Sequence, residues 1–280
     1  MGLLSDMELR ASLLPRSRLA VTFELNPTGS GTMDFIKQCD ALEVEIDHFA
    51  QTLEAIDSSL AVPTCPPWAV GDLARHLGMI HRWAEYLVRH QAERRVPISA
   101  LGLEPGTIDG EWIRQGGQSL LKTLRDADPE APMWSWGADQ HVRFWSRRQL
   151  HETLIHRSDL ELAGGLSPDF DATVAADAID EFLENLASAA AFSPEVAELR
   201  GRGESLVFVA DDVDRAWTAT LYPDAFEIRY GSCDARAQVS GPASRLALLL
   251  YRRVSLAGAE VEISGSESLV DFWLAHSMLG

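Results

Sequence analysis

Apolar residues recur at helical spacing from Asp34 to Ile56, at Phe35, Leu42, Ile46, Phe49, Leu53 and Ile56, and acidic residues fill the opposite face. That period predicts an amphipathic helix. The three prolines of VPTCPPW (62–68) then break the chain. A second helical pattern runs from Val70 to Ala92, with Leu73, His76, Leu77, Ile80, Trp83 and Leu87 on one side. A Pro/Gly-rich loop reaches Gly106, and a third helix is expected from Thr107 or Ile108 to Arg125. A tryptophan-rich connection, DADPEAPMWSWGADQHVRFW, leads to a fourth helix from Phe144 to Ala163. Gly164-Gly165 stops it, a normal C-terminal signal. Four helices with one long irregular crossing predict a four-helix bundle.

A further helix, Asp171 to Ala191, leads out of the bundle, and after RGRGE the texture changes. SLVFVA, AWTATLY, AFEIRY and ARAQVSG are short alternating or β-rich segments separated by turn residues. PASRLALLLYRRVS then reads as a helix, AEVEIS as a strand and SESLVDFWLAHSML as a last helix. The fold class is therefore α+β: a helical bundle over residues 33–170 and a small α+β domain over residues 171–280. Residues 1–32 end in a Gly/Ser/Thr/Pro cluster and lack a basic start followed by an apolar core. They read as a loosely ordered extension and not as a signal peptide.

The formal net charge of −18 disfavours binding to nucleic acid or to an anionic membrane, both of which reward Lys and Arg. No run of eighteen apolar residues offers a membrane span. The three cysteines, Cys39, Cys65 and Cys233, form no C-x-x-C pair, and so sparse and odd a count suits a reducing, cytoplasmic compartment. Cys39 and Cys233 are expected to be reduced and buried, and Cys65 to be structural.

HETLIHRSD (151–159) nearly spells the zinc-protease motif H-E-x-x-H, but Ile155 stands where the second histidine belongs. On a helix the letters regroup. Glu152 and His156 are four apart and share a face, with Gln149 and Asp159 close to the same stripe. His151 is rotated well over about 100° from His156 and reads as a bystander. A carboxylate and an imidazole so placed can bind one divalent metal, as inward-facing side chains do in bundle metal sites. The apolar face of the second helix offers His76 as a third donor, whereas His81 faces elsewhere. Two histidines and one carboxylate match the composition of catalytic zinc sites. The competing reading is a satisfied core histidine at His76 and an ordinary i, i+4 pair at Glu152 and His156. His48, His90, His141 and His276 show no partner pattern and are expected to be surface or structural.

Three stretches in order then resemble the mycothiol-dependent maleylpyruvate isomerase family. VPTCPPWAVGDLARHLGMIHRWAEYLV is similar to the family's proline-tryptophan turn and V-x-D-L-x-x-H-L helix start. FWSRRQLHETLIHRSDLELAGG resembles its H-E-x-x-x-H-x-x-D signature closed by glycine. GPASRLALLLYRRV with VEISGSESLVDFWL is similar to its carboxy-terminal domain. The resemblance implies a DinB-like four-helix bundle followed by a small sterol-carrier-like α+β domain. It implies one metal, usually zinc, held by His76, Glu152 and His156, with the open position left to water or to the thiol of mycothiol. An arginine of the small domain is implied for a substrate carboxylate; Arg253 matches best, with Arg252 adjacent. The chain departs from the family in carrying Ala69 where a Ser or Thr commonly caps the helix, although Asp72 remains.

The expected activity follows from this set. A thiol is a weak nucleophile until deprotonated, and zinc coordination removes its proton at neutral pH. An isomerase of this type adds the thiolate to a conjugated double bond, allows rotation and eliminates; a transferase stops at the adduct. The expected partners are a small-molecule thiol, mycothiol, and a small electrophile such as maleylpyruvate. Asp159 is a candidate to orient a ligand histidine, and Trp83, Trp134, Trp136 and Trp145 are candidates to wall the substrate site. The alternatives are a non-catalytic metal- or small-ligand-binding module and a regulatory protein on the same fold.

Overall fold

The computed structural model describes residues 23–24, 33–103 and 105–279. The expected loose extension at 1–32 lies outside these residues, except for Phe23–Glu24, which form a short strand, β1. The chain divides into two compact units, Met33–Asp169 and Phe170–Gly280 with the segment that holds β1.

The first unit contains α1 (Phe35–Ala55), α2 (Val70–Arg89), α3 (Gly110–Asp126) and α4 (Val142–Ala163). α1 packs on α3 and α4, and α2 packs on the same two helices, which is the arrangement of a four-helix bundle. Its core is Cys39, Leu42, Ile46 and Phe49 of α1, Leu73, Leu77 and Leu87 of α2, Ile113, Leu120 and Leu124 of α3, and Trp145, Leu150, Leu154 and Leu160 of α4. Close approach needs glycine at two crossings. A Cβ at Gly78 would fall 2.0 Å from the Trp112 ring, and one at Gly117 would fall 2.6 Å from Ile46.

Asp34 and Asp109 start α1 and α3 by accepting from the backbone N–H groups of Lys37 and Trp112, each at 2.9 Å. Asp109 thereby sets the third helix to begin at Gly110, later than the periodicity implied. α2 has half of a capping box: the Asp72 carboxylate accepts from the Ala69 N–H at 3.0 Å, but alanine returns no side-chain acceptor. It also ends before Ala92, because Gln91 turns into the left-handed region at φ 44° and Ala92 N–H bonds back to Leu87.

The second unit carries α5 (Ala172–Ala189), β2 (Ser205–Ala210), β3 (Arg215–Leu221), β4 (Phe226–Tyr230), β5 (Ala237–Gly241), α6 (Ala243–Leu250), β6 (Glu262–Gly265) and α7 (Glu267–His276). The sheet order is β1-β4-β3-β2-β5-β6. β2 pairs with β5 in parallel, as β1 does with β4; the other pairs are antiparallel. The buried Asp180 on α5 anchors the sheet by accepting from Trp217 Nε1 at 2.6 Å and Arg215 at 2.8 Å.

Two expectations need correction here. The helix read over PASRLALLLYRRVS stops at Leu250, because Arg252 adopts φ 59° and Arg253 N–H bonds to the Leu248 carbonyl, closing a Schellman turn. Periodicity cannot show a left-handed arginine. Cys233 is exposed on the loop between β4 and β5, not buried; Cys39 is buried, and burial pushes its thiol up to about 11.

α4 is unusual in burying sixteen of its 22 residues, polar ones included. Arg157 is 3% exposed and donates to Glu45 of α1 at 2.5 Å and to Glu161 at 2.6 Å. Removing one partner of such a buried pair strands the other charge, at about 3–5 kcal/mol. Arg157→Ala should lower unfolding stability by about that amount in urea titrations; a loss under about 1 kcal/mol, the range of a surface pair, would contradict it.

Candidate metal centre

The centre lies where α2 and α4 run past each other. His76 Nε2 stands 3.1 Å from Glu152 Oε1, and His156 Nε2 stands 3.3 Å from the same oxygen. All three donor atoms lie within 4.8 Å of one another. A tetrahedral ion with bonds of about 2.0–2.1 Å sets its donors about 3.3–3.4 Å apart. The two short separations therefore fit a divalent ion without rebuilding the helices. The exposed fractions are 13% for the His76 side chain, 11% for His156 and 23% for Glu152, so the carboxylate side is the wetter one.

The surroundings orient the donors. Asp159, fully buried one turn after His156, accepts from its Nδ1 at 2.8 Å. That fixes the tautomer, with the proton on Nδ1 and Nε2 left for the centre. Arg148, one turn before Glu152, approaches its other oxygen at 3.4 Å. The Trp68 ring packs against His76 at 4.8 Å and His156 at 6.4 Å between centroids. His76 Nδ1 is buried and has no hydrogen-bond partner, so that ring is steered by the Nε2 contact with Glu152 and by packing on Trp68.

The electrostatics follow from burial opposed by pairing. Burial alone would push the Glu152 carboxyl up; His156, His76 and Arg148 outweigh it and hold Glu152 well below the usual carboxylate range. Burial would likewise push His156 down, but Asp159, Cys65 and Glu152 raise it well above the usual imidazole range. His76 is lowered, chiefly by burial. These directions describe an ionised carboxylate shared between a neutral and a protonated imidazole when no ion is bound.

Of the residues singled out from sequence, His76, Glu152 and His156 meet, and Asp159 stands behind His156. Arg253 belongs to the other unit. There it is half-buried and donates to the Tyr251 carbonyl at 2.7 Å, whereas the left-handed Arg252 is exposed with its guanidinium on Met278 Sδ. His151 is fully buried and outside the donor set. His81 is buried against Thr153 Oγ1 at 2.9 Å, and burial lowers it to about 3, so it is a neutral structural histidine. Trp83, Trp134 and Trp145 pack together at 5.3–6.2 Å, and Trp136 packs on Phe144. Trp145 lies two turns from Glu152 along α4, about 10 Å. Sequence reasoning passed over Arg148, Thr64 and Trp68. The i−4 spacing from Glu152 was a usable signal for Arg148; only the fold brings Trp68 to the histidines.

The family model described as Mycothiol maleylpyruvate isomerase N-terminal domain matches residues 39–161, and that described as MDMPI C-terminal domain matches residues 173–272. The crystal structure of the mycothiol-dependent maleylpyruvate isomerase superposes with a TM-score of 0.55 at 14% identity, covering 83% of this chain and 93% of that one. A mutant of that isomerase superposes with the same TM-score at 15% identity and the same coverage. At this identity the likeness shows the fold. No curated protein matches the chain in sequence. The fold and the two family models together define a helical bundle joined to a small α+β domain. The chain belongs to the mycothiol-dependent maleylpyruvate isomerase family.

A raised folded-state pKa at His156 stabilises the metal-free protein fully below the unfolded value of about 6.5 and is lost as pH rises through the folded value. In chelator-treated protein, imidazole NMR should therefore show His156 still protonated at pH 7, and Asp159→Asn should bring its midpoint down. A midpoint at or below about 6.5 in the unsubstituted protein would contradict the assignment.

Proposed function

We propose that the chain is a cytoplasmic, metal-dependent enzyme that activates the thiol of mycothiol for isomerisation of, or transfer to, a small electrophile such as maleylpyruvate. The observation that carries this reading is the convergence of His76, Glu152 and His156 on one point, in a chain whose family is named for a mycothiol-dependent isomerase. Zinc is the ion of choice, because two imidazoles and a carboxylate leave a fourth position open. When bound, the ion supplies positive charge that lowers the pKa of a thiol or water at that position.

The chain's own residues have distinct parts. Glu152 contributes the only negative charge among the three donors. Arg148 holds its second oxygen. Asp159 keeps the proton of His156 on Nδ1 and its ring in place. Arg253 is assigned to the substrate carboxylate, through the two parallel hydrogen bonds a guanidinium offers. That pairing would act on the electrophile and not on the thiol.

Elemental analysis of protein purified without a histidine tag tests the ligands. Wild type and His151→Ala should carry about one metal per chain, and His76→Ala and His156→Ala should have lost it; full occupancy in the last two would refute the assignment. Calorimetry tests the thiol. Mycothiol added to metal-loaded protein in buffers of different ionisation heat should release a proton wherever the free thiol is protonated. Arg253→Ala should leave that signal intact and lower kcat/KM for a carboxylated substrate roughly 10–100-fold, the size of a charge-assisted hydrogen bond. Absence of mycothiol binding, or binding without proton release, would favour a non-catalytic binding module.

A further inference from the structure

Asp159 is 0% exposed, and a buried carboxylate needs donors on both oxygens. His156 Nδ1 occupies Oδ2 at 2.8 Å, with the Cys65 thiol also directed to Oδ2 at 3.4 Å. Oδ1 accepts from the Thr64 hydroxyl at 2.6 Å, the length of a strong charge-assisted bond. The two partners, Thr64 and Asp159, are 95 residues apart in sequence. A carboxylate held on one oxygen only can swing about its side-chain torsion; held on both, its plane is set, and with it the direction from which it can accept from His156.

The segment that delivers Thr64 is itself fixed. Cys65 N–H bonds to the Val62 carbonyl at 3.1 Å, making a turn with Pro63 at its second position, where a preset φ is favoured. Val62 N–H bonds to Trp68 O at 2.8 Å and Val70 N–H to Leu60 O at 2.9 Å, so the loop closes on itself before α2 begins. The same loop therefore presents a hydroxyl to the acceptor of His156 and an indole ring to both histidines. A hydrophobic side chain of equal shape at position 64 would leave the loop intact and take the hydroxyl donor away from Oδ1 of Asp159.

We infer that Thr64 is a positioning residue of the metal centre: its hydroxyl locks Asp159, and through Asp159 the orientation of His156. This rests on the reading of His76, Glu152 and His156 as metal ligands. Partners one step removed from the metal typically change its affinity by about 10–100-fold when lost.

The test compares wild type, Thr64→Val and Thr64→Ser by chelator competition for zinc, by the visible spectrum of the cobalt-substituted protein and by thermal unfolding of the metal-free forms. Thr64→Val should weaken zinc binding about 10–100-fold and shift the cobalt bands, and Thr64→Ser should restore both. Equal affinity and an unchanged spectrum in Thr64→Val, with only a lower melting temperature, would make Thr64 a purely structural residue and overturn the inference. Wild type that fails to take up zinc or cobalt would instead overturn the ligand assignment beneath it. Two metal equivalents in wild type, one of them lost in Cys65→Ser, would show that Cys65, His156 and Asp159 hold an ion of their own, and would also overturn the inference.

Discussion

A carboxylate buried among helices must be neutralised, and Glu152 is where this bundle meets that demand. Its side chain is only 23% exposed on a helix with most of its residues out of water, so water screens its charge only in part. Two imidazoles on one oxygen and a guanidinium near the other take its place. Each of those groups then needs support of its own. His156 is tied to Asp159, Asp159 to Thr64 and Cys65, and His76 to the face of Trp68. The loop between α1 and α2, otherwise a plain connection, is thus bound to α4 by the same electrostatic requirement that builds the centre.

The two imidazoles are not equivalent, and the difference is chemical. His156 has a buried anion behind it, which keeps the ring basic and Nε2 directed forward. His76 has no acceptor for Nδ1 and is placed by packing on Trp68 and by its Nε2 contact with Glu152. Without an ion, the proton of His76 sits best on Nε2, facing Glu152; with one, it must move to Nδ1, where no acceptor waits. In the proposed ligand set, His156 and Glu152 would thus be the strong part, and His76 the weaker part that closes it.

Much of this was readable in the residues. The helical period located α1 to α5 to within a few residues, because amphipathic faces and Asp caps are local signals. The shared face of Glu152 and His156 followed from a spacing of four, and the inward face of His76 from its apolar neighbours. What failed was non-local or conformational. No pattern shows that Arg252 turns left-handed and ends α6. Trp145 lies two turns before Glu152 on the same helix, while Trp68, from the loop before α2, packs against both histidines. Thr64 gives no sequence signal at all, since its partner is 95 residues away and one hydroxyl in a loop looks like any other.

The central claim is that two imidazoles and one carboxylate hold a single ion, with the nearby Cys65 thiol outside its shell. X-ray absorption at the zinc edge of the resting protein addresses this most directly. The expected result is a shell of nitrogen and oxygen at about 2.0–2.1 Å with the outer scattering of two imidazoles. A sulfur neighbour at about 2.3 Å, or protein that holds no zinc after loading, would contradict it.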